Sequence, residues 1–310
     1  MPICDVSVVI PTYNRPELLK RALMSVARQT CAPRETIVVD DNSEAPVEPF
    51  VAGLDLGIPV KAIRHDENRG PAAARNTGLR AAKGTYVAFL DCDDEWLPQK
   101  LEHQIGFLTT AERSSNHPVA SATGFEIDHG LGTFVRRPND HRSTEDIIWG
   151  CGLSPGSTLM CNRALFHEFG PFNEALRRFE DWDWLLRFIE PGTVAVLPDV
   201  LARVHVLSRP AEAVVRQSGA RLYDLALASH LSRHPAMMRR LRSSLFIEYA
   251  AASHHAGRSV EAALWAIRAL LLWPFRNLGF FWRLTGHVAR GRPSHSPRPE
   301  AAAERLAGNG

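Results

Sequence analysis

Short apolar runs alternate with amphipathic segments over the N-terminal third of the chain, and this alternation constrains the fold more than any other feature. Runs that are typical of buried strands lie at residues 6–10, 36–39, 60–63 and 86–90. Segments with the apolar spacing of a helix lie at residues 16–29, 71–82 and 98–110. Strands that alternate with helices predict an α/β fold, with a mostly parallel sheet and helices on both of its faces.

Polar residues directly follow three of the predicted strands. These segments are 11–15 (PTYNR), 40–43 (DDNS) and 91–94 (DCDD). In sheets of this kind, ligands bind beyond the carboxyl ends of the strands. We therefore expect the three segments to meet at one rim of the sheet and to form a binding site there.

Composition excludes several classes of protein and points to an uneven charge distribution. Of the 310 residues, 45% are hydrophobic and 23% are charged, which excludes a disordered chain, a collagen and a small disulfide scaffold. Residues 1–200 have 20 basic and 28 acidic side chains, a net charge of −8, whereas residues 201–310 have 16 and 6, a net of +10. A basic segment of this kind often marks a surface that meets anions.

Cysteine usage and hydropathy give expectations about location. The five cysteines form no CxxC pair, which favours reduced thiols in a cytoplasmic protein. The most apolar segment, 262–284, is interrupted by arginines and by Pro274, so we expect no transmembrane helix. Residues 211–290 are rich in Ala, Leu and Arg and are predicted to be helical, and residues 291–310 are predicted to be disordered.

Three acidic segments are candidates for chemistry, and each also has a structural explanation. The carboxylates of 91–94 either bind Mg²⁺ or Mn²⁺, which offsets their repulsion, or form a solvated turn. Asp40 and Asp41 either accept hydrogen bonds from a base or ribose or form an Asx-turn. In 180–184 (EDWDW), an acid against a Trp face is a better proton acceptor, although acids also favour a helix N-terminus.

These segments occur in one order along the chain, together with QT at 29–30 and NRGPAAARNTG at 68–78. Over about residues 5–210 the sequence resembles glycosyltransferase family 2, whose members are inverting enzymes of the GT-A fold. The resemblance implies a catalytic domain at 1–210, and composition predicts the helical region at 211–290 and the tail at 291–310 that follow it. It also implies transfer of a sugar from a nucleotide-diphosphate sugar, expected to be a UDP-sugar, to an acceptor hydroxyl in polysaccharide or cell-envelope glycan synthesis.

The resemblance assigns roles to individual residues. The expected contacts to the nucleotide sugar are Pro11, Thr12, Tyr13, Arg15, Asp40, Asp41, Arg75 and Asp93. A divalent cation, Mn²⁺ or Mg²⁺, is expected on Asp94 as principal ligand, with Asp93 and His205, while Asp91 lies behind them. Asp181 matches the general base, and Glu180 is expected to contact or orient the acceptor. Gly156 and Ser157 are a weaker match to the lining of the acceptor side.

Other functions stay open at this stage. A nucleotidyltransferase would need a glycine-rich phosphate loop where PTYNR stands, and PTYNR has no glycine, which disfavours this class. A dinucleotide oxidoreductase would need GxGxxG at the same place, and this motif is absent. A non-catalytic carbohydrate-binding or scaffold protein could share the fold. His205 is either a metal ligand or a packed histidine at the end of a strand.

Partners follow from the same interpretation. We expect a nucleotide-sugar donor, a saccharide or lipid-linked acceptor, and no nucleic acid. Residues 258–284 place aromatic residues and leucines near arginines. This pattern is typical either of a helical hairpin packed on the catalytic domain or of a peripheral contact with the inner face of the membrane.

Overall fold

A computed structural model describes residues 2–128, 130, 132–150, 152–206 and 210–274. A nine-stranded sheet forms its centre, with helices around it and a helical region after the last strand. This architecture confirms the predicted α/β class.

The strands follow one another in the order β3-β2-β1-β4-β8-β6-β9-β5 across the sheet, and β7 pairs with β6. Their bounds are β1 Ile3–Thr12, β2 Ala32–Asp40, β3 Val60–Arg64, β4 Tyr86–Phe89, β5 Glu95–Trp96, β6 Val119–Asp128, β7 Thr133–Arg136, β8 Met160–Asn162 and β9 Thr193–His205.

Eleven α-helices and one 3₁₀-helix, His230–Arg233, are found in the described part of the chain. Their bounds are α1 Pro16–Ala27, α2 Val47–Ala52, α3 Pro71–Ala81, α4 Lys100–Ser114, α5 Thr144–Ile147, α6 Pro155–Thr158, α7 Leu165–Glu168, α8 Glu180–Phe188, α9 Glu212–Leu227, α10 Pro235–His255 and α11 Ser259–Leu272.

The N-terminal half of the sheet is parallel, as expected. Strand β1 pairs in parallel with both β2 and β4, and β2 pairs in parallel with β3. Beyond β4 the sheet becomes mixed, because β8 is antiparallel to both β4 and β6 while β6 and β9 are parallel. The parallel part brings the ends of β1, β2 and β4 to one edge.

The predicted elements of the first 110 residues are confirmed with small shifts at their ends. Helices α1 and α3 both have Pro in the first turn, where its missing N–H costs nothing. The long strand β6 and the short helix α2 were not predicted. Strand β6 lies in a segment where Gly, His and Pro obscure the apolar periodicity.

One apolar core joins the sheet to the C-terminal helices. It includes Val9 of β1, Leu222 of α9 and Leu245 of α10, which are all nearly inaccessible to solvent. The division into domains at residues 210 and 290 stays a prediction, and the predicted tail at 291–310 lies outside the described residues. Among the described helices, none has both the length and the apolar character needed to cross a membrane.

Candidate active site

A cavity of about 870 Å³ opens at the carboxyl ends of β1, β2 and β4, and we call it the site cavity. Thr12, Asp41 and Asp93, one from each of the three polar segments, line it. The register explains this convergence, because Thr12 stands beside Asp40 across the β1–β2 pairing. The expectation that the three segments meet at one rim is therefore confirmed.

The loops after β1 and β2 are bonded to each other. The backbone N–H of Asn14 donates to Ser43 Oγ at 2.9 Å, and Asn14 Oδ1 accepts from the backbone N–H of Glu44 at 2.8 Å. Both loops turn at an asparagine with positive φ, 53° at Asn14 and 66° at Asn42. Asn adopts this region more readily than most residues, which explains its place at both turns.

The two neighbouring aspartates after β2 have different roles. Asp40 is 1% exposed and does not line the cavity; it accepts hydrogen bonds from Ser43 N at 2.8 Å and from Arg64 at 2.6 Å. Asp41 lines the site cavity and accepts a 2.7 Å bond from the backbone N–H of Gly70. Asp40 therefore anchors the loop after β2. Asp41 is 4% exposed, and besides lining the cavity it holds the segment after β3 through His65 Nδ1 at 2.8 Å and the backbone N–H of Arg69 at 2.9 Å.

Asp91, Asp93 and Asp94 bring their carboxylate oxygens within 4.8 Å of one another. Asp91 and Asp93 line the site cavity, whereas Asp94 is 4% exposed and lies behind them. Arg15 binds Asp93 at 2.6 Å. The cluster thus combines two half-buried carboxylates at the cavity, one of them paired with Arg15, with the buried carboxylate of Asp94.

Burial, with the charge of Asp91 as second cause, raises the pKa of both Asp93 and Asp94. Arg15 opposes the shift at Asp93, and hydrogen bonds from Ser157 Oγ and the backbone N–H of His205 oppose it at Asp94. Burial and the repulsion from Asp91 therefore both disfavour the charged forms of Asp93 and Asp94. Hard oxygen donors in this arrangement fit Mg²⁺ or Mn²⁺.

The ring of His205 lies apart from this cluster. Its Nε2 is 2.9 Å from Glu95, and its Nδ1 is 3.3 Å from Asp128. Only the backbone N–H of His205 reaches Asp94, at 2.9 Å. A role as metal ligand would require the imidazole to leave these two carboxylates.

Arg75, on α3, connects two of the acidic segments. Its guanidinium binds Asp91 at 2.5 Å and also binds Glu180. The pKa of Arg75 is raised because its carboxylate neighbours outweigh the cost of burial. The arginine therefore holds the wall formed by the acidic cluster against the start of α8.

Helix α8 begins with Glu180 and Asp181, which both line the site cavity. Burial raises the pKa of each carboxyl, and the charge of Arg75 opposes the rise. Phe179 precedes them with φ 69°, which is a strained conformation for a bulky residue. This turn aims the first residues of α8 into the cavity.

The structure adds cavity residues that the sequence motifs did not reveal. Arg136, Arg177, Arg178 and Glu248 line the same space, and Arg178 pairs with Glu248 of α10 at 3.4 Å. These residues stand on a hairpin, a loop and a distant helix, and none belongs to a motif that could have identified it. Gly156 also lines the cavity, whereas Ser157 is buried and donates a hydrogen bond to Asp94.

Comparison with known proteins identifies the family. The model of the family "Glycosyl transferase family 2" matches residues 7–167, more than half of the chain. The chain belongs to this family. The matched range contains the loops after β1, β2 and β4, which line part of the site cavity, whereas Glu180, Asp181 and Glu248 of the same cavity lie outside it.

Curated relatives support the assignment at moderate identity. An uncharacterized glycosyltransferase of Haemophilus influenzae is 32% identical over 59% of this family 2 chain and 62% of its own length. The amylovoran biosynthesis glycosyltransferase AmsB of Erwinia amylovora is 28% identical over 66% and 70%. The chain spans between about a third and two thirds of the length of the first curated relatives that it matches.

Solved structures share the fold of this family 2 chain. S. aureus TarS 1–349 in complex with UDP-GlcNAc aligns with a TM-score of 0.58 and 17% identity, covering 87% of this chain and 91% of TarS 1–349. A mannosyltransferase of Pyrobaculum calidifontis in complex with GDP-Man and Mn²⁺ aligns with a TM-score of 0.59 and 19% identity, covering 93% and 81%. At these identities the likeness establishes the GT-A-like fold.

Proposed function

We propose that this protein is an inverting glycosyltransferase that moves a sugar from a nucleotide-diphosphate sugar to an acceptor hydroxyl. One observation carries the proposal: Arg75 joins an acidic cluster suited to a cation and the Glu180–Asp181 pair within one cavity. Transfer of a sugar from a diphosphate to an acceptor hydroxyl needs two parts. One part stabilises the charge of the leaving diphosphate, and the other is a base that accepts the proton of the hydroxyl.

Asp181 acts as the general base in this proposal. Its carboxylate accepts the proton of the acceptor hydroxyl while the hydroxyl oxygen attacks the anomeric carbon and the bond to the diphosphate breaks. The raised pKa of Asp181 makes it a stronger proton acceptor than an exposed aspartate. A single displacement from the opposite face inverts the configuration, so a second nucleophilic carboxylate is not needed.

Asp93 and Asp94, with Asp91 beside them, would hold a divalent cation, because their oxygens lie within 4.8 Å of one another and a cation would offset the repulsion between the carboxylates. When bound, such a cation supplies Lewis-acid stabilisation of the charge on the leaving diphosphate. Arg15 keeps Asp93 oriented toward the nucleotide side of the cavity. Arg75 holds Glu180, so that Glu180 orients the acceptor beside Asp181.

Asp41, Thr12 and Tyr13 form the part of the cavity proposed for the nucleoside. The two structural neighbours contain different nucleotide sugars, UDP-GlcNAc in one and GDP-Man in the other. We propose a UDP-sugar as donor, on the family resemblance. Polysaccharide or envelope glycan synthesis is proposed as the pathway class, since the relative AmsB is named for amylovoran biosynthesis.

A donor panel tests the proposal. The protein is incubated with UDP-, GDP- and dTDP-sugars in the presence of Mn²⁺, Mg²⁺ or a chelator, and release of the nucleoside diphosphate is measured. We expect release from one donor class that requires metal. Binding without turnover for every donor and acceptor would favour a non-catalytic carbohydrate-binding protein, and pyrophosphate release from a nucleoside triphosphate would favour a nucleotidyltransferase.

A further inference from the structure

The outer face of α11 carries a row of large apolar side chains that face solvent. Val260, Leu264, Ile267 and Leu271 are 75%, 49%, 50% and 80% exposed. Their spacing of four, three and four residues places them on one side of the helix. We call this row the α11 stripe.

The opposite face of α11 fixes this orientation. Its buried residues are the small side chains Ala262, Ala266 and Ala269, which pack toward α10. Ser243 Oγ of α10 donates a 2.9 Å hydrogen bond to the carbonyl oxygen of Ala269. The helix therefore buries three alanines and presents Leu264, Ile267 and Leu271 outward, the reverse of what packing into the core would favour.

Unpaired positive charge lies beside the stripe. A groove of about 460 Å³ between α10 and α11 is lined by Arg242, Phe246, Trp265, Arg268, Leu271 and Leu272. Arg268 stacks 4.6 Å over Trp265, and Arg242 stacks 5.6 Å over Phe246. Within the described ranges, neither guanidinium has a carboxylate within salt-bridge distance, so both remain available to an external anion.

We propose that the α11 stripe and its two arginines bind the surface of an anionic lipid bilayer. An interfacial helix requires large apolar residues on one face and basic residues beside them, and this face provides both. A second copy of the chain fits less well, because a symmetric contact would bring the same arginines of both copies together. Residues 201–310 also have an excess of basic over acidic side chains, and this positive charge would attract the same anionic surface.

The α11 stripe and the site cavity are connected through helix α10, so lipid binding at the stripe would also position the cavity. Helix α10 carries Arg242 in the groove and Glu248 on the lining of the cavity, six residues, or about 9 Å of helix, further along. A bilayer bound at the stripe would hold the cavity close to the lipid surface. The lipid contact stands on the α11 stripe, Arg242 and Arg268, and it does not depend on the proposed glycosyl transfer.

Vesicle co-sedimentation of the full chain tests this proposal. We compare vesicles of phosphatidylcholine alone with vesicles that also contain phosphatidylglycerol. The variant Ile267→Gln/Leu271→Gln should lose binding to anionic vesicles by about tenfold or more, because two exposed apolar side chains no longer enter the interface. The matched control Ile3→Gln/Leu227→Gln, which removes two exposed apolar residues elsewhere, should bind like the wild type.

The contribution of Arg242 and Arg268 is measured separately from that of the apolar side chains. Arg242→Gln/Arg268→Gln should weaken binding to anionic vesicles by about fivefold per arginine and leave binding to neutral vesicles unchanged. Equal recovery of wild type and stripe variant in the supernatant with both vesicles would overturn the proposal. A stripe variant that changes the sedimentation mass of the free protein, with vesicle binding unaltered, would assign the face to a second copy instead.

Discussion

Arg75 binds Glu180 across 105 residues of sequence, and this contact brings α3 and α8 together at the site cavity. The same guanidinium reaches Asp91, so a single buried side chain sets the distance between the acidic cluster and the proposed base. A bidentate donor suits this position because its planar fork can serve two carboxylates at once.

Replacing Arg75 tests the contact. Arg75→Met should lower the free energy of unfolding by about 3–5 kcal/mol, because buried Glu180 loses its partner. Arg75→Lys should retain part of the stability, since the charge remains, but should lose most of the transfer activity because an ammonium does not have the fork geometry. Denaturant unfolding and turnover are measured on both. Arg80→Met, on the exposed side of the same helix, should change stability by less than about 0.5 kcal/mol.

Asp181→Asn should lower transfer by about 10²–10⁴-fold and leave donor binding nearly unchanged, because only the proton acceptor is removed. Asp183→Asn is the matched control on the same helix. Asp183 pairs with Arg187 at 3.0 Å and is absent from the described cavity lining, so its loss should affect stability more than turnover. Turnover is measured at saturating donor, and binding by calorimetry. Wild-type turnover by Asp181→Asn would remove this residue from the mechanism.

The pH profile of turnover should show an acidic limb above the ordinary aspartate pKa of about 3.9, because burial raises the pKa of Asp181. The base must be ionised, so activity is present above this raised pKa and is lost as the pH falls through it. The positive charges of Arg75 and Arg178 lower the pKa of Asp181. Arg178→Gln should therefore move the limb to higher pH. Arg142→Gln, at an exposed position, should leave the limb in place.

Two variants distinguish a role of the acidic cluster in metal binding from a role of His205. Asp94→Ala should abolish the increase in UDP binding that Mn²⁺ produces, because this carboxylate would help to hold the cation, which would offset the charge of the diphosphate. His205→Gln should retain the increase if the ring serves Glu95 and Asp128 as the structure places it. Calorimetric titration with and without Mn²⁺ measures both. If only His205→Gln lost the increase in UDP binding with Mn²⁺, the principal metal ligand would be His205 and not Asp94.

Gly156→Ala should impair transfer by at least tenfold with little effect on the unfolding midpoint. An added Cβ at this position would overlap with the Asp91 carboxylate, which would have to move away from Arg75. Gly106→Ala is the control, because a Cβ there has no atom within 4 Å and alanine favours the interior of α4. We expect this control to be fully active and slightly more stable. Full activity of Gly156→Ala would show that Asp91 tolerates displacement.

The sequence by itself determined the parallel part of the sheet and the location of the site at its rim. Apolar runs that end in PTYNR, DDNS and DCDD are local features, and parallel strands must place their carboxyl ends on one edge. The acidic pair at the start of α8 was also visible as a motif.

Tertiary structure alone decided which member of each motif faces the cavity. Asp41 lines it while Asp40 anchors a loop, and Asp94 lies behind Asp91, because neighbouring residues along the chain point in different directions. The bridge from Arg75 and the contribution of Glu248 join segments that are far apart in sequence. Periodicity and motif spacing record only local geometry, whereas these contacts depend on how distant elements pack around one core.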